Sequence, residues 1–312
     1  MAAALGALTG WLLFATLVLV LGSLAGRWLL LPRIERASDN GSPGAPPDGP
    51  WPGSSAVPPH LVEAASRLGF FASLTLPLAI ALVFVRQLHE FRDPFVPWQE
   101  DASLLIGTEW GRTWIGAAAA AVAAPIVFAL CRLRIRGAWP LATLIVLTLA
   151  LFPSLTGHAA GTQALRPFTL AADSLHVVAA GAWMGGLALV LYAERRWRGV
   201  YGSGSVLPVL VPAFSPVAIG CVLVLIGTGL FASWIHLDGV SALAFTPYGR
   251  LLLLKLGLVA VALGLGARNW RVLTPRLHTP GGPAALRRTG LTELVVAQLV
   301  LLVTAVLVRT SP

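Results

Sequence analysis

Two histidines and a carboxylate stand out in a chain that is otherwise poor in charge. From Gly157 the sequence reads G-H-A-A-G, a short break, then D-S-L-H-V-V-A-A-G-A-W-M-G-G as far as Gly186. His158, Asp173 and His176 thus fall at the edge of, and inside, apolar segments. An ionisable side chain within a membrane is costly and is by default a functional-site candidate. Imidazole suits copper, zinc, iron or nickel. Asp173 has two readings beside it: a metal ligand, or a group that orients the His176 ring from behind. The competing reading of His176 is a packed histidine bonded to Asp173 or to a carbonyl. His236, beside Asp238, is a weaker fourth candidate, since an interfacial histidine needs no ligand to explain it.

The elements that must position these groups follow from composition. Of the 312 residues, 56% are hydrophobic and 11% charged, against about 25% charged in a soluble domain. Mean hydropathy is +0.79. Only helices and closed barrels satisfy their backbone in lipid, and Leu251 to Leu265 lacks the alternation of a barrel strand. The expected fold is therefore an all-α integral membrane protein, a polytopic bundle of eight transmembrane helices. The spans read Ala4–Leu31, Leu68–Leu88, Thr113–Cys131, Trp139–Phe152, Phe168–Ala193, Ser215–Trp234, Pro247–Asn269 and Leu286–Val308. A span needs about 20 residues, so the fourth extends naturally to Leu155. No basic residue precedes the first apolar run, which is expected to stay as an uncleaved helix. The segment Ala37–Pro59, rich in Pro, Gly and Ser, reads as a disordered linker. Two membrane halves are expected, residues 1–154 and 155–312.

The net charge of +9 does not point to nucleic acid. Arginines stand singly or in threes at the ends of apolar runs, and fifteen of the 22 basic residues fall in or beside the loops after spans 1, 3, 5 and 7. That side is expected to be cytoplasmic, with both termini extracytoplasmic. His89, His158, His176 and His236 then fall on the outer side, and His60 and His278 in cytoplasmic loops. The outer loop carrying Glu90, Asp93, Glu100, Asp101 and Glu109 reads as a solvated surface or a collector of cations.

At about 1.5 Å per residue, Asp173 lies about 8 Å and His176 about 12 Å below the outer edge, with Lys255 also at about 12 Å. Asp173 and His176 are three apart and share a helix face. Trp183, seven residues on, continues that face. Lys255 offers a third reading of Asp173, a structural ion pair. Gly181-x-x-x-Gly185 reads as a small-residue groove for a neighbouring helix. In the inner half, Glu293 needs a partner, which Arg287 or Arg288 would supply. Cys131 and Cys221 read as small buried apolar residues. They have no C-x-x-C spacing, and Met1 and Met184 are too few for a thioether-lined path.

Several of these runs together resemble the copper resistance protein D (CopD) family. They are D-S-L-H-V-V-A-A-G-A-W-M-G-G-L (Asp173–Leu187), T-P-Y-G-R-L-L-L-L-K-L (Thr246–Leu256), A-R-N-W-R-V-L-T-P-R-L (Ala267–Leu277) and L-R-R-T-G-L-T-E-L-V-V-A (Leu286–Ala297), with G-H-A at Gly157–Ala159. The resemblance is ordered and covers about Leu155 to Val308. It implies a multi-pass protein of the bacterial plasma (inner) membrane that handles or transports copper. It also implies a small extracytoplasmic copper-binding partner resembling CopC. Its pattern picks out His158, His176, Trp183, Lys255 and Glu293. Some relatives carry histidine where this chain has Asp173, which makes this site harder. The expected function is copper transport, received at the outer face through His158 and His176 with Asp173, and with Glu293 in an inner gate or proton-linked element. No ATPase motif and no catalytic constellation is read. Two alternatives belong to other classes: a haem-binding membrane electron carrier, and an assembly partner for a cuproenzyme.

Overall fold

A computed structural model describes residues 2–39, 56–156, 165–202, 204–236 and 242–310. Its described residues are helical apart from the turns and loops that join the helices, with no strand. Eight helices are long and apolar enough to cross a membrane: span 1 (Leu5–Ala37), span 2 (Val57–Phe91), span 3 (Glu109–Arg132), span 4 (Ala138–Thr156), span 5 (Arg166–Tyr201), span 6 (Leu207–Ile235), span 7 (Pro247–Arg276) and span 8 (Gly282–Leu307). This is the architecture of a multi-pass membrane protein. Several helices outrun their apolar cores, because polar and proline residues at the ends continue the backbone ladder. Span 2 begins at Val57 rather than near Leu68, with proline in its first turn, where the missing N–H costs nothing. The expected linker therefore ends earlier than Pro59; residues 40–55 lie outside the described residues.

Span 1 is central. Its buried residues contribute to two core clusters, one with spans 2, 3 and 4, the other with spans 5, 6, 7 and 8 and the start of span 2. The Gly181-x-x-x-Gly185 groove receives it. A Cβ on Gly181 would lie 2.4 Å from Leu21 Cβ, and one on Gly185 would lie 1.9 Å from the Val18 carbonyl oxygen. Gly22 is the reciprocal position, where a Cβ would stand 2.2 Å from the Gly185 carbonyl carbon. Only glycine permits this approach, which brings two backbones together as small-residue interfaces do. Gly181–Gly185 is itself a π-helical segment within span 5. Two further π segments, Gly26–Leu30 and Asn269–Leu273, interrupt spans 1 and 7; such turns often mark functional positions.

Polar bonds tie the bundle across its spans. Trp11 Nε1 donates to Gln298 Oε1 at 3.1 Å, joining spans 1 and 8. Thr16 and Thr75 hydroxyls meet at 3.0 Å, joining spans 1 and 2. At the face carrying both ends of the described chain, Glu90 pairs with Arg86 and Arg309.

The strongest tie lies at the opposite, arginine-rich face. Glu194 of span 5 is fully buried. It accepts from Arg287 Nη1 of span 8, from Ser205 Oγ and from the Val206 N–H at the start of span 6, each at 2.9 Å. The charge is thus paired and also sits at a helix N-terminus, where the dipole favours it. Removing one partner of a buried pair strands the other. Glu194→Ala is expected to destabilise the protein by about 3–5 kcal/mol, read as a lowered thermal unfolding midpoint in detergent. Arg195→Ala, an exposed neighbour, is expected to leave that midpoint near the wild-type value.

Candidate functional site

Asp173 and His176 project from the first helical stretch of span 5, Arg166–Ala180, one turn apart and both half-buried. His176 Nδ1 lies 2.8 Å from Thr228 Oγ1 of span 6. The hydroxyl sets the pattern of this bond. When Thr228 donates its single proton to a carbonyl of its own preceding turn, Val224 O at 2.7 Å, its oxygen accepts and Nδ1 carries the hydrogen. A neutral ring with Nδ1–H presents a lone pair at Nε2, and Nε2 has no hydrogen-bond partner among the described residues. This is how a ligating histidine is usually held: one nitrogen fixed by a hydrogen bond, the other left to the metal. Gly229 lies beside the ring, where a Cβ would stand in ordinary van der Waals contact, 3.9 Å from His176 Cε1.

Thr228, rather than Asp173, orients the ring. The Asp173 carboxylate has no hydrogen bond or ion pair among the described residues. Lys255 of span 7, half-buried, is within Coulombic reach of both Asp173 and His176. No Lys255–Asp173 contact falls within the 4.0 Å of an ion pair. Lys255 thus stands near both groups, but a direct ion pair with Asp173 is not formed. The result is one carboxylate, one ammonium and one imidazole, drawn from spans 5 and 7 and aligned by span 6.

The other candidates lie elsewhere. His158 falls outside the described residues. His236 closes the helix of span 6, and its side chain also falls outside them. Trp183 lies inside the π segment and is buried in the core. Among the described residues no three of His, Cys, Asp and Glu gather as a metal-holding group. Cys131 and Cys221 are both buried and belong to different core clusters, so they do not line one path.

Glu293 is 5% exposed in the arginine-rich half of span 8. Its partner is neither Arg287 nor Arg288. Those residues are six and five positions away, whereas side chains on one helix face stand three or four apart; Arg287 instead serves Glu194. Glu293 Oε2 accepts from Asn269 Nδ2 of span 7 at 3.0 Å. His60, read from sequence as a loop residue, is buried within span 2; its Nε2 donates to Ala193 O at 3.0 Å, and its ring meets Trp197 edge-on at 5.0 Å. The acidic loop is largely neutralised. Glu109 pairs with Arg166 at 2.7 Å, Asp101 is buried beside Arg92, and Glu90 serves two arginines. Three of its five acids thus face an arginine, while Asp93 and Glu100 are exposed.

The family described as Copper resistance protein D matches residues 208–307. The chain is 30% identical over 234 residues to the copper resistance protein D of Pseudomonas syringae pv. tomato, covering 71% of this chain and 72% of that protein. It is also 30% identical over 217 residues to the copper transport protein CutJ of Bacillus subtilis (strain 168), covering 67% of this chain and 38% of CutJ. No solved structure matches.

Proposed function

Because the chain belongs to the copper resistance protein D family, we propose that it handles copper in transport across the plasma membrane, receiving the ion at His176 and Asp173. The observation that carries this reading is the Thr228–His176 bond, which leaves imidazole Nε2 open one helical turn from the unpartnered Asp173 carboxylate. His158 joins the same ligand set in this proposal, with His236 as an outer contributor. The arginine-rich face is cytoplasmic by the distribution of basic residues, which puts Asp173 and His176 toward the extracytoplasmic side and both termini outside. A small extracytoplasmic copper-binding protein would deliver the ion.

Electrostatics favour passage over storage. Lys255 offsets the Asp173 charge, so the empty site is close to neutral within the membrane. Each cation that enters must tolerate the neighbouring ammonium. Binding is therefore weaker than at an isolated carboxylate–imidazole pair, and conduction needs sites that can be left as well as entered. The carboxylate and imidazole set is harder than a thiolate or thioether set and suits cupric better than cuprous copper.

Three measurements test this reading. A reporter fused after Arg198 is expected to read cytoplasmic, and one fused to the C-terminus external; the reverse would overturn the sidedness. Purified protein is expected to bind copper and to lack a Soret band. A Soret band that shifts on reduction would replace the transport reading with a haem-based electron carrier. Unchanged cellular copper on deletion, with reduced copper loading of an oxidase, would replace it with an assembly role.

A further inference from the structure

Glu293 and Asn269 face each other across spans 7 and 8, and their four polar atoms are only half used. Glu293 is 5% exposed and Asn269 9%. One bond joins them, Asn269 Nδ2 to Glu293 Oε2 at 3.0 Å. Asn269 Oδ1 is sealed from solvent and has no donor. Glu293 Oε1 has no hydrogen-bond donor among the described residues either. Gly266 packs next to it, where a Cβ would stand 3.4 Å from Oε1.

Among the described residues no cation pairs with the carboxyl. Span 1, packed against span 8, has no charged residue from Ala2 to Ala25, and its first cation, Arg27, lies over the Trp28 ring. Span 5 offers Glu194, held by Arg287, Arg196, held by Glu63, and the exposed Arg195 and Arg198. Span 7 offers Arg268 and Arg271, both exposed, and its end offers Arg276, also exposed; none pairs with Glu293. Arg288 on span 8 itself does not reach it. Counting from Gly282, Glu293 lies about 16 Å along its helix. A bare carboxylate at that depth, accepting one neutral hydrogen bond, is strongly disfavoured.

We infer that Glu293 and Asn269 form an intramembrane proton-binding site, with Glu293 protonated at rest. A carboxylic acid and a primary amide can close a ring of two hydrogen bonds. The existing N–H···Oε2 bond is one half. A proton on Oε1, donated to Asn269 Oδ1, supplies the other and satisfies both idle oxygens at once. Loss of that proton leaves two acceptors facing each other and a charge without a partner, which loosens span 7 against span 8 next to the π turn at Asn269–Leu273. The site goes beyond the copper reading and stands whether or not the chain binds copper.

Infrared difference spectroscopy of the purified full-length chain tests it without copper. At neutral pH the wild type is expected to show the C=O band of a buried protonated carboxyl group. Glu293→Gln is expected to lose that band while keeping the fold, since a glutamine amide can close a similar ring. Asn269→Leu is expected to keep the band and shift it to higher frequency, because the C=O loses its N–H donor. An undiminished band in Glu293→Gln, or an unshifted one in Asn269→Leu, would overturn the assignment. Should Glu293→Gln fail to fold, the Asn269→Leu shift decides alone.

Discussion

His176→Ala is expected to abolish specific copper binding by the purified protein, and Thr228→Val to weaken it by about 10–100-fold. The first substitution removes the only imidazole that the described residues place beside Asp173. The second keeps the volume of the side chain and removes only the acceptor. It leaves Nδ1–H half-buried without a partner, at a cost of about 1–3 kcal/mol, and frees the ring to rotate or to move its hydrogen to Nε2. Titration of copper against a competing chelator measures both. Wild-type affinity in His176→Ala would remove this residue from the site. Wild-type affinity in Thr228→Val alone would leave the ligand in place and remove the orienting role of the threonine.

Gly185→Ala is expected to have the largest effect on folding of any single added methyl group in span 5. Its Cβ would lie 1.9 Å from the Val18 carbonyl oxygen and 2.8 Å from Gly22 Cα. Both are backbone atoms, so no side-chain rotation relieves the contact and the two helices must separate. Ordinary overpacking costs about 1–3 kcal/mol, and a clash with fixed backbone belongs at or above the top of that range. Gly199→Ala is the control, since nothing lies within 4 Å of a Cβ there; removing a helical glycine is expected to be neutral or to stabilise by about 0.5–1 kcal/mol. The readouts are monodispersity in detergent and the thermal midpoint. Equal behaviour of the two variants would mean that spans 1 and 5 do not meet as described.

What could be read from the sequence divides along physical lines. The bilayer imposes long apolar runs, so all eight spans were visible, and the glycine spacing identified a close helix contact before its partner was known. Asp173, His176 and Lys255 were placed at one level by counting residues along helices. The residues that complete each site were not visible, because they are joined across the bundle. Thr228 looks like any hydroxyl in an apolar helix, satisfied by its own preceding turn; its second bond, to a ring 52 positions earlier, leaves no local pattern. Glu194 and Arg287 stand 93 positions apart, and Asn269 and Glu293 stand 24 apart on neighbouring spans. His60 stands ahead of the apolar run that marks span 2 from Leu68, next to the Pro-rich stretch, and so reads as a loop residue. Proline in a first turn starts a helix as readily as it ends one.

The glycine contact between spans 1 and 5 has a mechanical consequence. Most helix pairs are held by side-chain ridges seated in grooves, and turning one helix on the other means lifting those ridges out. Where Gly22 meets Gly185 there are no ridges, only backbone on both sides, but side chains are seated on either side of that point: Leu21 against Gly181 and Leu189 against Gly26. The pair is held at three places rather than one, which sets the angle between spans 1 and 5 as well as their distance. His176 and Asp173 lie on span 5 on one side of this contact and Glu194 on the other. Span 5 therefore joins its two polar ends as one rod clamped at its middle.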